Sequence, residues 1–212
     1  MYASDSTSAP ARPILRVFVP CKHLRGSTNI PYGGITVRIG NILALAGLLA
    51  FSVSAQIANA ASASAHSSIV NAQGTQIGSA KLTAAGNSVK VSVKVSQLTP
   101  GEHGIHVHTV GKCEGPAFTT AGGHFNPTSS HHGVHNTNSP HPHVGDLPNL
   151  VVAKNGKAST SFTIEGATLG DGANSLFHEG GTALVIHAKA DDLMSDPSGN
   201  SGDRIACGVI EK

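Results

Sequence analysis

Residues 87–95 read Asn87-Ser88-Val89-Lys90-Val91-Ser92-Val93-Lys94-Val95. Valine falls at every second position, with Ser and Lys between. Successive side chains of a strand point to opposite faces, so this alternation specifies a strand with one face buried and one in water. A helix would place its apolar residues three and four apart instead. Working outward, Leu98-Thr99-Pro100-Gly101 marks a turn. Further short strands are expected at Ser67–Ala72, Ile77–Thr83, Gly104–His108, Asn149–Ala153, Ser159–Ile164, Thr182–His187 and Arg204–Ile210. No amphipathic helical pattern occurs, and with no Trp and two Tyr the core must be aliphatic. The expectation is an all-β fold, an antiparallel sandwich or barrel of about eight strands.

Two stretches resist assignment to strands. Thr109–Pro148 is a run of Gly, Pro, Ser, Asn and His, and Asp191–Asp203 is rich in Asp, Ser and Gly. A long structureless loop in a compact domain needs something to order it. Cys113 and a dense set of histidines lie inside the first loop, so a disulfide and a metal are the expected sources of order.

The 212 residues are not homogeneous. Ile42–Phe51 (ILALAGLLAF) is too short to span a bilayer, which takes about 20 apolar residues, and suits the apolar region of a secretory signal peptide. Arg38 precedes it, and Ala58-Asn59-Ala60 supplies a cleavage site, so residues 1–60 are read as a leader and 61–212 as one domain. Residues 1–36 lack the pattern of a signal peptide, and an alternative start near Val37 would explain them. A buried core helix is the competing reading of the apolar run. No lipobox cysteine follows it, which argues against a lipid anchor. The leader carries five of the 14 basic residues and one of the 12 acids, leaving a net charge of −2 on the domain. No basic stripe points to nucleic acid or to an acidic membrane surface. Cys113 and Cys207 remain after cleavage, and an exported domain favours joining them as a disulfide over keeping two free thiols. The expected location is outside the cytoplasm, periplasmic or extracellular.

Twelve of the 13 histidines follow residue 60. His106 and His108 are two apart in an expected strand, so both imidazoles face the same way and can reach one metal. His124, His132, His143 and Asp146 follow, and three imidazoles with a carboxylate suit tetrahedral zinc. His187 ends another apolar run, where a polar residue can also simply mark a strand leaving the core.

The segments GIHVH (104–108), AGGHFNP (121–127), HVGDLPNL (143–150), LVIHAKADDL (184–193) and GDRIACGVI (202–210) closely resemble the copper/zinc superoxide dismutase family, bacterial type. The resemblance covers nearly all of the domain. It implies an eight-stranded antiparallel Greek-key sandwich or barrel with two long functional loops. It implies copper on His106, His108, His124 and His187, and zinc on His124, His132, His143 and Asp146, with His124 bridging. Asp191 would accept hydrogen bonds from one ligand histidine of each metal, with Asp192 the weaker candidate. Arg204 would stand beside the copper and attract the anionic substrate, and Cys113 and Cys207 would form the family disulfide. The implied reaction is disproportionation of superoxide to oxygen and hydrogen peroxide, with Arg204 and His124 as catalytic residues.

His103 is expected to be a structural hydrogen-bonder, and His131, His135, His141 and His178 have no required role. The loop from Asp191 to Arg204 is shorter than in animal-type members and lacks their charged steering cluster; Asp196 and Asp203 remain. A homodimer is compatible with the resemblance, with its surface undetermined. The alternative function is an exported, non-enzymatic copper/zinc-binding protein on the same fold. A second alternative is a structural sandwich whose histidines are incidental.

Overall fold

A computed structural model describes residues 62–212, so the leader reading of residues 1–60 falls outside the described residues. The strands are β1 (Ser64–Asn71), β2 (Gln76–Ala85), β3 (Ser88–Val95), β4 (Gly101–His103), β5 (Ile105–His108), β6 (Leu150–Val152), β7 (Ala158–Glu165), β8 (Ala183–His187) and β9 (Arg204–Val209). Seven form one curled antiparallel sheet in the order β5-β8-β9-β1-β2-β3-β7, and β4 pairs with β6 in a second. A short 3₁₀ turn covers Thr119–Ala121.

The alternation of β3 is realised in the packing. Val89, Val91, Val93 and Val95 are at most 5% exposed, while Lys90 and Lys94 face solvent. Val91 sits opposite Leu82 of β2 and Phe162 of β7, both buried. Ile69, Ile105, Val107, Leu150, Ile164, Leu184 and Ile186 extend the same core across both sheets. Each fully buried side chain of this size contributes roughly 1.5–3 kcal/mol relative to exposure, which is how an aliphatic core holds the fold without tryptophan. The lysines and serines of the other face stay hydrated and keep the strand in register, since a one-residue slip would bury them.

The structure has nine strands where eight were expected. The stretch read as the turn and start of one strand is divided at Gly104. Before it, Glu102 pairs with Val151 in the small sheet; after it, Ile105 pairs with Ile186 in the large one. At this change of sheet Gly104 passes close to the loop that follows β8. A Cβ at 104 would lie 2.8 Å from Ser201 Cβ, a contact real side chains do not make.

β5 ends the large sheet, and its free edge would be exposed without cover. The long loop returns to it twice, through bridges His108↔His124 and His106↔Asp146. Val107 N–H donates to Gly145 O and Phe125 N–H donates to Val107 O, each at 2.8 Å. Cys113 and Cys207 are joined as a disulfide across a sequence separation of 94. Phe118 and Ala121 pack with Ala183, Val185 and Cys207 in a small second core under the loop. Backbone pairing, a covalent link and local burial thus order the stretch that has no strand pattern of its own. Among the described residues, no helix is long and apolar enough to cross a membrane.

Candidate metal centre

Strand geometry builds half of the site. His106 and His108 project from one face of β5, and His187 stands at the end of the adjacent β8, beyond a local shift in register. The covering loop brings His124 beside them. One ligand-capable atom from each of His106, His108, His124 and His187 falls within 4.8 Å of the others. A second group of the same compactness comprises His124, His132, His143 and Asp146, so His124 belongs to both. The ring centroid of His124 lies 4.0 Å from His106, 5.1 Å from His132 and 5.4 Å from His143.

Outer hydrogen bonds fix which ring nitrogen each histidine presents. His108 Nδ1–H donates to Gly122 O at 2.9 Å and His187 Nδ1–H to Gly202 O at 3.1 Å. His106 Nε2–H donates to Asp191 Oδ2 at 2.7 Å. The opposite nitrogens, His108 Nε2, His187 Nε2 and His106 Nδ1, are buried without a hydrogen-bond partner, as is His124 Nε2. Four such orphaned nitrogens in one place would cost far more than a folded core tolerates unless a cation takes their lone pairs. Four imidazoles suit Cu(II), and imidazoles with a carboxylate suit Zn²⁺. The donor set therefore fits two metals that share His124.

The acidic members are held firmly. Asp146 Oδ1 lies 2.7 Å from His124 Nδ1, 3.1 Å from His132 Nδ1 and 3.2 Å from His143 Nδ1. Its Oδ2 accepts from the N–H groups of Gly133 and His143. Burial alone would raise its pKa, but these histidine and backbone hydrogen bonds hold it well below the usual carboxylate range. Asp191 is buried at the junction of the two groups, with Oδ1 3.0 Å from His132 Nε2 and Oδ2 on His106. Asn149 pins its backbone from both sides, accepting from Asp191 N–H and donating to Asp191 O. Gly199 packs against this carboxylate with φ +63, where any Cβ would overlap Asp191 Oδ1. Asp192 turns away and caps its own loop through Met194 N–H and Ser195 N–H.

Burial dominates the titration of three rings, those of His108, His187 and His124. It lowers His108 to about 2, His187 to about 3 and His124 to about 4, helped in each case by neighbouring histidines. Neutral imidazole, the form that binds metal, is thus the resting state of these three rings. His132 goes the other way. Burial opposes its charge, but Asp146 and Asp191 outweigh burial and raise it to about 9, so a metal must displace a proton at this position.

Arg204 begins β9 and reaches toward the four-histidine group. Its Nη1 donates to Phe118 O at 2.7 Å and its Nη2 to Gly122 O at 2.6 Å. Gly122 O therefore receives both Arg204 and His108. Pro116, Ala117, Thr119, Gly202 and Asp203 line an open hollow beside the guanidinium. The two anchoring carbonyls have no counterpart in the sequence reading, because main-chain oxygens carry no residue signature. His103 Nδ1 lies 2.7 Å from His187 O, consistent with a structural role. His131, His135, His141 and His178 belong to neither metal-capable group. His143, not His141, approaches Asp146.

A sequence profile described as copper/zinc superoxide dismutase matches residues 76–210. The chain belongs to the copper/zinc superoxide dismutase family. It is 45% identical over 148 residues to superoxide dismutase [Cu-Zn] 1 of Aquifex aeolicus, covering 69% of this chain and 86% of that protein. A crystal structure of a SOD-like protein from Bacillus subtilis is 36% identical with a TM-score of 0.64, covering 68% of this chain and 96% of that one. The Cu/Zn superoxide dismutase from Brucella abortus is 28% identical with a TM-score of 0.56, covering 70% of this chain and 100% of that one. Copper and zinc are the family's metals, and the buried, unpartnered nitrogens are chemically suited to both.

Proposed function

We propose that this chain is an exported superoxide dismutase. In this reading copper is held by His106, His108, His124 and His187, and zinc by His124, His132, His143 and Asp146. The observation that carries it is the membership of one imidazole, His124, in both donor groups. The net reaction takes two superoxide anions and two protons to oxygen and hydrogen peroxide. Bound copper supplies the one-electron steps, and bound zinc, which has no redox chemistry of its own, fixes the His124 ring.

The chain's own groups do the rest. The Arg204 guanidinium is held in place by two carbonyls, so its remaining N–H bonds are oriented toward an arriving anion at little cost in side-chain entropy. Its charge acts on His108 and His187 in a domain of net negative charge, and local focusing of this kind raises anion on-rates by roughly 10–10³-fold. The His124 Nε2, buried and unpartnered, is the atom placed to take up and hand on a proton, while Asp146 keeps the ring from turning. Asp191 holds His106 and His132 in their working tautomers.

Residues 1–60 act as a leader cleaved near Ala60, which delivers the domain to a periplasmic or extracellular space. N-terminal sequencing of the protein recovered outside the cytoplasm is expected to begin near Ala61.

Metal content and superoxide removal by the loaded protein test the function, with Arg204→Ala beside it. A dismutase loses 10-fold or more in kcat/KM in that variant while keeping its copper and zinc. A metal-buffering protein would remove negligible superoxide and be indifferent to the change.

A further inference from the structure

Asp196 lies in the loop between β8 and β9, outside both metal-capable groups. Its carboxylate nevertheless spends both oxygens on the segment that carries His132. Oδ1 accepts from the backbone N–H of His132 at 2.8 Å. Oδ2 lies 2.7 Å from His131 Nδ1 and accepts from Asn136 Nδ2 at 3.2 Å. Around it the two loops are joined by backbone contacts as well. His135 N–H donates to Leu193 O at 2.9 Å, and Asn136 Nδ2 donates to Met194 O at 3.0 Å. His132 is thus gripped twice from the same loop, at its Nε2 by Asp191 and at its main chain by Asp196. Its ring has no exposure, whereas Asp196 and His131 are each more than two-fifths exposed. A metal-side ring is therefore fixed by a clamp that sits at the surface.

We propose that Asp196 is a positioning residue for His132, and that its carboxylate sets how firmly the chain holds the metal bound by the His124–His132–His143–Asp146 group. The inference rests on the zinc assignment above. The physical reason is leverage: a main-chain N–H fixed at 2.8 Å determines where the Cα and hence the imidazole stand. Two residues sharing one carboxylate also remove the independent motion of positions 131 and 132.

Asp192 provides the control. It lies in the same loop and accepts from Met194 N–H, Ser195 N–H and Asn200 Nδ2, but none of these contacts reaches residues 131–136. Protein loaded with copper and zinc is titrated with a chelator, and both metals are followed by mass spectrometry. Asp196→Ala is expected to release zinc 10–100-fold more readily, the usual effect of losing an outer partner of a ligand, with copper retention within about twofold. Asp196→Asn, which keeps an oxygen for the His132 N–H, is expected to restore most of the retention. With cobalt in place of zinc, the visible absorption bands should shift in Asp196→Ala and stay unchanged in Asp192→Ala. If the alanine variant does not fold, Asp196→Glu is read the same way, since its carboxylate is displaced by a methylene. Equal zinc release from Asp192→Ala would overturn the proposal, as would wild-type zinc retention in Asp196→Ala. If the zinc assignment itself fails, no variant or wild-type protein takes up zinc at this position, a result distinct from either.

Discussion

Replacing Cys113 and Cys207 by alanine isolates the one covalent tie of the long loop. The disulfide closes a sequence separation of 94. In the chain-entropy treatment, a loop of that size restricts the unfolded chain by an amount worth about 4.7 kcal/mol at 25 °C. For a domain of this length, about 2–4 °C of Tm accompanies each kcal/mol, so the double variant should melt roughly 10–20 °C lower. Activity should fall for a separate reason. The segment anchored by Cys113 carries Phe118 and Gly122, whose carbonyls hold Arg204, and Cys207 lies three residues beyond Arg204 on β9. Phe118 and Ala121 remain packed against Val185, so the anchors loosen rather than vanish. A several-fold loss of kcat/KM is expected, not its abolition. Scanning calorimetry and superoxide consumption would be compared for the variant and for wild-type protein under reductant, which should coincide. A Tm within about 2 °C of wild type would refute the reasoning, because the loop would then be held by packing alone.

An amide at position 191 puts its oxygen at only one of the two carboxylate positions, so it serves either His106 Nε2–H or His132 Nε2–H and turns an N–H₂ toward the other. Asp191→Asn should therefore weaken metal binding by roughly 10–100-fold, measured as copper and zinc remaining after dialysis against chelator. In the metal-free protein, His108, His187 and His124 have folded pKa values of about 2, 3 and 4, below the unfolded value. The unfolded chain then binds more protons between those values and about 6.5, so stability falls as pH drops through that window. His132, raised to about 9, contributes the opposite limb: its stabilisation is complete below about 6.5 and is lost as pH rises toward 9. Urea melts across pH should thus peak near 6.5 without metal. Zinc should remove the alkaline limb, because it holds His132 deprotonated in the folded state; an alkaline limb that survives zinc loading would contradict this account.

Legibility in the sequence followed how local the physics was. Alternation in β3 and the i, i+2 pair His106 and His108 were readable because strand geometry alone decides which way those side chains face. Strand β4 was not, since Gly101-Glu102-His103 carries no alternation and is a strand only by pairing with β6. Spacing could nominate His124 but could not place it between two groups; the bridge His108↔His124 does that. The anchors of Arg204 are main-chain oxygens, which leave no mark of residue identity. Asp196 looked like a residual surface charge because its partners lie 64 and 65 positions away in an irregular loop.

The two halves of the centre have different structural origins. His106, His108 and His187 ride on paired strands of the main sheet, whereas His132, His143 and Asp146 are supplied by loop. Strand pairing alone sets where the first three rings stand. The second half, and the shared His124 with it, stands where the loop is tied to the sheet by its bridges to β5 and by the Cys113–Cys207 link. Insertions or deletions in the covering loop are therefore tolerated unequally: they displace the loop-borne ligands while the three strand-borne rings keep their places.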